Sequence, residues 1–475
     1  MKVSTERFFM GLAGLFVMVV IAAIVIQMLT EQRRGAARAR LKLPAVLTQE
    51  LKNLPPSQLS TGQNGPEPAG LPQSEPRDPS ESAAAFADLF RHVEVFAKDE
   101  RYKFLKRPPT EWNAEEQAQA RELAKASRDV ILEIRRLAEL GGPALELDYS
   151  KGSAIKLPHL EPLRYCAKLL RIDAWVKSQQ RNYGEVVEDI LAELKLGKVV
   201  KDEHIFASQF VRIEMETMAF MSVVDDLPAD RLSPESAERV IRTVGQMDSH
   251  QSFLDSLAGE SACGLDTFDR LRDGNAEGFL GFLGPTSGVS DPGALRVLET
   301  VMGSSIARPL LNMDETVFTE ALTRIQDVAD LPTYQAEPAI GRIVGEGIAG
   351  GVRGTRLLTG ILLSNFARAV DMQARDEALI ALLQVGLALE LYHTQHGTYP
   401  ATLDAIAPTL GGRVPLDPYT GQPLHYRPAG QSFLLYSVGI DLADDGGQQG
   451  YTESGQLNFW QGDIVWRAGN RTHGR

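Results

Sequence analysis

Few residues of this 475-residue chain stand at spacings that do chemistry. His393 and His396 are three apart and could share a helix face as metal ligands. No zincin-type glutamate lies between them and no third ligand is evident, so they read as solvated histidines at a helix C-terminus, interacting with its dipole. Ser153-Ala154-Ile155-Lys156 has the serine–lysine spacing of penicillin-binding enzymes, but the companion motifs are absent. Glu214 and Glu216 are two apart on a helix and point to different faces, so they do not form a catalytic pair. Glu260 reads as a capped or surface carboxylate and not as a general base. Phe206, Phe210 and Phe220 read as core. The seven glycines between 341 and 360 lack the strand and the spacing of a phosphate loop. No enzymatic activity is expected from these residues.

The elements that would position any site follow from bulk numbers and periodicity. A chain this long exceeds one ordinary core, so two or three domains are expected. With 43% apolar and 23% charged residues it has a globular composition. Its net charge of −13 argues against nucleic acid as a partner, because phosphate binding needs a basic surface. Cys166 and Cys263 lie far apart in no paired motif; two separate buried thiols are preferred over one disulfide.

Phe8 to Ile26 is nineteen residues without a charge. At ~1.5 Å per residue it is long enough to cross a bilayer, so it reads as an uncleaved signal anchor, with membrane contact through residues 8–29. Residues 1–42 are taken as this anchor and its basic flank. Residues 43–80 hold eight prolines among polar residues and read as a disordered linker.

From 81 to 335 the pattern is helical. Phe86, Leu89, Phe90, Val93 and Phe96 recur at helical spacing. Asn113 with Glu116 forms a capping box opening a helix to about Leu140. Leu163, Ala167, Leu170 and Ala174 line one helix; Asn182-Tyr183-Gly184-Glu185 turns; Val186, Val187, Ile190, Leu191 and Leu194 stripe the next. This pair resembles a tetratricopeptide unit without its full consensus, and a helical-repeat-like array is preferred over a closed bundle. Further helices are expected over about 205–224, from Ser233-Pro234 to Met247, and from Phe253 to Leu271. Residues 336–370 read as a Gly-containing helical connector.

At the C-terminus a nearly all-apolar helix, Ala378 to Tyr392, precedes a change of period. Leu424 to Arg427, Ser432 to Val438 and Ile464 to Arg467 read as a three-stranded antiparallel sheet that would bury the helix face. Gly397-x-Tyr399-Pro400, Asp417-Pro418-x-x-Gly421-x-Pro423-Leu424-x-Tyr426 and Leu435-Tyr436-Ser437-x-Gly439-x-Asp441 resemble the C-terminal domain of the major pseudopilin of type II secretion systems. The match covers residues 371–468, about a fifth of the chain; 469–475 is left as a tail. The resemblance implies a calcium ion in the acidic loop, with Asp441, Asp444, Asp445 and Asp463 as hard oxygen ligands. A solvated acidic hairpin loop is the alternative. Leu442 and the long segment Gln448 to Gln461 depart from the family pattern. The whole chain also resembles membrane-anchored bacterial proteins that join a helical region, with Leu147-Asp148-Tyr149-Ser150 and Leu157-Pro158-His159-Leu160, to a pseudopilin-like tail.

The expected fold is mainly α, a helical-repeat-like array with a C-terminal α+β domain and one N-terminal transmembrane helix. The expected protein is a single-pass inner-membrane one. Arg33, Arg34, Arg38, Arg40 and Lys42 after the anchor favour a cytoplasmic bulk, but the tail favours the extracytoplasmic side, which is preferred. The expected function is a non-enzymatic scaffold for a protein partner, near a secretion or pilus-like apparatus. A membrane-anchored hydrolase and a structural envelope protein are the alternatives.

Overall fold

Apolar stripes at helical period through most of the chain, and period-two stripes only near its end, produce a mainly helical array closed by a small β region. The structure is a computed structural model that describes residues 22–41, 79–97, 104–105, 107, 109–141, 147–228, 231–275, 304, 307–349, 356–451 and 457–468.

The helices are α1 (22–38), α2 (Pro79–Ala97), α3 (Ala114–Ala126), α4 (Arg128–Leu140), α5 (Leu160–Gln179), α6 (Tyr183–Leu196), α7 (Phe206–Asp226), α8 (Pro234–Gly245), α9 (Ser249–Arg272), α10 (Arg308–Ala329), α11 (Thr333–Ala349) and α12 (Leu357–His396). Local chemistry sets several of their ends. Asn113 and Glu116 form the reciprocal capping box that opens α3, and the Ser233 side chain accepts the Ser236 amide ahead of Pro234 in α8. Cys166 and Cys263 are free and buried, as their spacing suggested.

α12 is the spine. It runs 40 residues without a break, so it crosses both the expected connector and the start of the expected C-terminal domain at residue 371. Its N-terminus is held by Asp314 of α10, whose carboxylate accepts the amides of Leu358 (3.0 Å) and Thr359 (3.2 Å). Midway, Asp376 is fully buried and pairs at 3.2 Å with Arg212 of α7, which also holds Glu216. Two carboxylates share one guanidinium, and burial, with Asp376 beside it, pushes the Glu216 carboxyl well above the usual carboxylate range.

The tail closes over the second half of α12. Strands β1 (His425–Ala429), β2 (Ser432–Ser437) and β5 (Ile464–Ala468) form an antiparallel sheet in the order β1-β2-β5, pairing Tyr436 with His425 and with Val465. β3 (Gln449–Tyr451) and β4 (Leu457–Gly462) make a separate hairpin within the segment that departs from the pseudopilin pattern. Leu435, Phe433 and Trp466 join α6, α7, α8 and α12 in one continuous apolar core. The tail is thus built into the helical body and does not hang from it.

The expected membrane span does not stand. Residues 1–21, most of Phe8 to Ile26, lie outside the described residues. From residue 22 the chain is a helix carrying Glu31, Arg33, Arg34 and Arg38, and among the described residues no helix is long and apolar enough to cross a membrane. Arg38 instead ion-pairs with the fully buried Glu315 of α10 and, at 3.1 Å, with Asp269 of α9, docking α1 onto protein. The transmembrane helix, the membrane as a partner and the single-pass inner-membrane location are therefore set aside. The Pro-rich segment lies outside the described residues up to Pro79.

Candidate functional site

Two segments singled out by sequence, Leu147 to Ser150 and Leu157 to Leu160, meet at one cleft against α2. A short 3-10 stretch, Tyr149–Ala154, carries the chain between them. It turns at Gly152 (φ 50°, ψ −125°), and a Cβ there would stand 1.8 Å from Asp266 Oδ2 on α9. Both the positive φ and the close approach require glycine.

The polar side chains of the two segments are anchored by the turn 200–205 and the first residues of α7. Tyr149 accepts the His204 amide on its hydroxyl at 3.3 Å. His159 is buried, and its Nε2 lies 2.9 and 3.1 Å from the two Glu203 oxygens; the Ser208 hydroxyl donates to the same carboxylate. Gln209 Nε2 donates to the carbonyls of Val200, Lys201 and Glu203, which fixes the turn itself. Beside it Glu260 is buried and accepts the Phe206 amide (3.3 Å), serving the start of α7; burial pushes its carboxyl up to about 7. Glu260 is thus a capping carboxylate, buried where a surface position was the other expectation.

The cleft has a volume of about 790 Å³, within the range of small-ligand sites. Phe90 of α2, Leu147, Ile155 and Pro158 supply apolar lining, and Arg91, Lys151, Lys156 and Arg270 supply cations. Three of those cations already face carboxylates: Arg91 with Asp88 (2.6 Å), Lys151 with Asp148 (4.0 Å) and Arg270 with Asp266 (2.5 Å). Among the described residues Lys156 pairs with no carboxylate, and it is exposed. The cleft thus sets an apolar wall beside the Lys156 ammonium, with Glu94 and Asp148 also in its lining.

In the acidic loop the carboxylates named from sequence make the following contacts. Asp441 accepts the amides of Gly462 (2.7 Å) and Ala443 (3.2 Å). Asp444 accepts the Tyr436 hydroxyl (2.8 Å) and the Gly446 amide (3.0 Å), and Asp463 accepts the Gly447 amide (2.6 Å). Asp445 is exposed. Among the described residues no three histidine, cysteine, aspartate or glutamate side chains converge as a metal site. Asp463 Oδ1 is buried without a hydrogen-bond partner. Three of the four carboxylates, Asp441, Asp444 and Asp463, thus bond to the loop's own backbone amides.

The other motif residues are staples too. Asp417 is buried, and its carboxylate accepts the Tyr419 amide (2.9 Å), the Ser437 hydroxyl (3.0 Å) and the Val438 amide (3.1 Å). Tyr399 donates to Glu390, and Tyr426 to the Pro400 carbonyl, both at 2.8 Å. His393 meets Gln431 at 2.9 Å and His396 stacks on Tyr392, so the two imidazoles serve separate contacts. Glu214 pairs with Arg164 while Glu216 pairs with Arg212, on different faces as their spacing required.

No family model matches the chain, and no curated protein or solved structure matches it. The pseudopilin and tetratricopeptide resemblances therefore rest on their sequence motifs. The scaffold expected at a secretion or pilus-like apparatus, and the anchored hydrolase, lose the membrane helix they required and are not carried forward.

Proposed function

We propose that the chain is a non-catalytic binding protein for a small amphipathic acid, held in the cleft between α2 and the 147–160 segment. The observation that supports this reading most directly is the unpaired Lys156 ammonium beside the apolar wall of Phe90, Ile155 and Pro158. The ligand's acid group meets Lys156, and its hydrocarbon part covers the apolar wall. Binding is preferred over chemistry because the His159 and Ser208 side chains are both taken up by the Glu203 carboxylate.

The test is a thermal melt of the full chain with octanoate and, separately, octanol. A ligand that binds only the native state raises the melting temperature by mass action. Octanoate is expected to raise it, with the rise lost in Lys156→Gln and reduced in Phe90→Ala. An equal rise in Lys156→Gln, or no rise at all, overturns the reading.

A further inference from the structure

A second cleft, of about 660 Å³, lies on a different face, between α3, α4, α5 and the start of α6. Its charges sort into two sets. Arg135 and Lys177 are occupied within the fold. Arg135 bonds to Asp189 (2.7 Å) and Glu185 (2.5 Å) and pairs with Asp173 (3.4 Å); Lys177 pairs with Asp173 (3.6 Å) and Glu185 (3.5 Å). Those carboxylates are therefore answered by structural partners.

The other set is not answered. Arg121 and Lys125, one turn apart on α3, and Arg128, at the start of α4, line the same cleft and are exposed. Among the described residues none of the three forms an ion pair, and Glu122 is the one further carboxylate in the lining. The Arg121 guanidinium lies 5.2 Å over the Trp175 ring, which orients it. Stacking uses the face of a guanidinium and leaves its in-plane N–H donors for an oxyanion. Arg128 sits in the first turn of α4, beside Asp129, the acidic residue of that turn. This local excess of positive charge stands in a chain of net charge −13.

We propose that this cleft binds a small multivalent oxyanion, a polyphosphate or a polycarboxylate, on Arg121, Lys125 and Arg128. Three cations within one concavity favour several negative charges on one molecule over separate monovalent ions, because the ordering cost is met once. The size of the cavity suits a metabolite-sized ligand.

The experiment is isothermal titration of the full chain with pyrophosphate and with citrate, against sodium chloride at matched ionic strength. Saturable one-to-one binding of either ligand is expected, and which of them binds distinguishes phosphate from carboxylate. The triple variant Arg121→Gln, Lys125→Gln, Arg128→Gln is expected to bind about tenfold or more weakly, the loss of charge-assisted hydrogen bonds. All three side chains are exposed, so an unchanged melting temperature verifies that the variant is folded. Lys156→Gln should leave this binding unchanged, which separates it from the amphipathic-acid cleft. Absence of saturable binding by both ligands, or equal binding by the triple variant, overturns the proposal.

Discussion

Gly386 of α12 lies directly under the indole of Trp466 in β5: a Cβ at 386 would stand 2.3 Å from the ring. Glycine inside a helix ordinarily costs about 1 kcal/mol relative to alanine. Here the sheet could not seat on the helix with alanine, because Trp466 is buried and also meets Phe220 of α7 edge-on at 6.2 Å. Gly386→Ala is therefore expected to destabilise by about 1–3 kcal/mol, the usual cost of overpacking, against the direction of helix propensity. Urea unfolding measures it. Combining it with Trp466→Leu should recover part of the loss, and a stabilised single variant would show that the sheet does not press on α12 as described.

The buried Glu193 of α6 links stability to pH. Burial is the main cause that pushes its carboxyl up to about 8; Arg171 and the Ser222 hydroxyl, which donates to it at 2.9 Å, pull the other way. The folded state thus holds the proton to higher pH than the unfolded chain, where the group titrates near 4.5. Below that value both states are protonated and the group costs nothing. As pH rises through the window from 4.5 to about 8 the unfolded state ionises first, and stability falls with a limiting slope of about 1.4 kcal/mol per pH unit. Glu193→Gln keeps the acceptor for Ser222 and removes the titration. Its stability relative to the parent should rise from pH 4.5 to pH 8 in parallel denaturant melts. A constant difference across that range would mean that Glu193 is ionised in the folded protein.

What was legible in the sequence was local. The Asn113–Glu116 cap needs only four residues, and the short apolar strand Ser432 to Ser437 needs six, so both were readable. The length of α12 was not. Arg368, Asp371, Arg375, Asp376 and Glu377 put five charges just ahead of the apolar run from Ala378, and Asp376 among them is fully buried against Arg212, 164 positions away. A charge whose partner lies that far off looks like surface until the fold brings the two together. The cleft was half legible for the same reason. Its two segments were visible as motifs, but their anchor is a turn 44 residues beyond His159. The available hint was the cluster Glu203-His204 and Ser208 just before the apolar face of α7.

The acidic loop offers the most direct separation of backbone stapling from metal binding. Asp463 is buried and receives the Gly447 amide, so Asp463→Ala removes a charge-assisted hydrogen bond and is expected to cost about 1.5–3 kcal/mol. Asp445 is exposed, so Asp445→Ala should change stability by no more than about 0.5 kcal/mol. With Asp441, Asp444 and Asp463 already bonded to loop amides, millimolar chelator should leave the melting temperature of the full chain unchanged. An ion bound only to the native state would do the opposite: calcium would raise the melting temperature and chelator would lower it. If that happens, and Asp445→Ala abolishes it, the loop rearranges around a cation and the four aspartates act together. If chelator is silent while Asp463→Ala alone destabilises, the carboxylates hold the loop through the backbone. The hydrogen bonds from Tyr436 and Gly446 hold Asp444 below the usual carboxylate range, so its contribution is present at neutral pH and is lost as pH falls through that lowered value. An acid titration of the loop should therefore show Asp444 protonating after an ordinary aspartate, with chelator or without it.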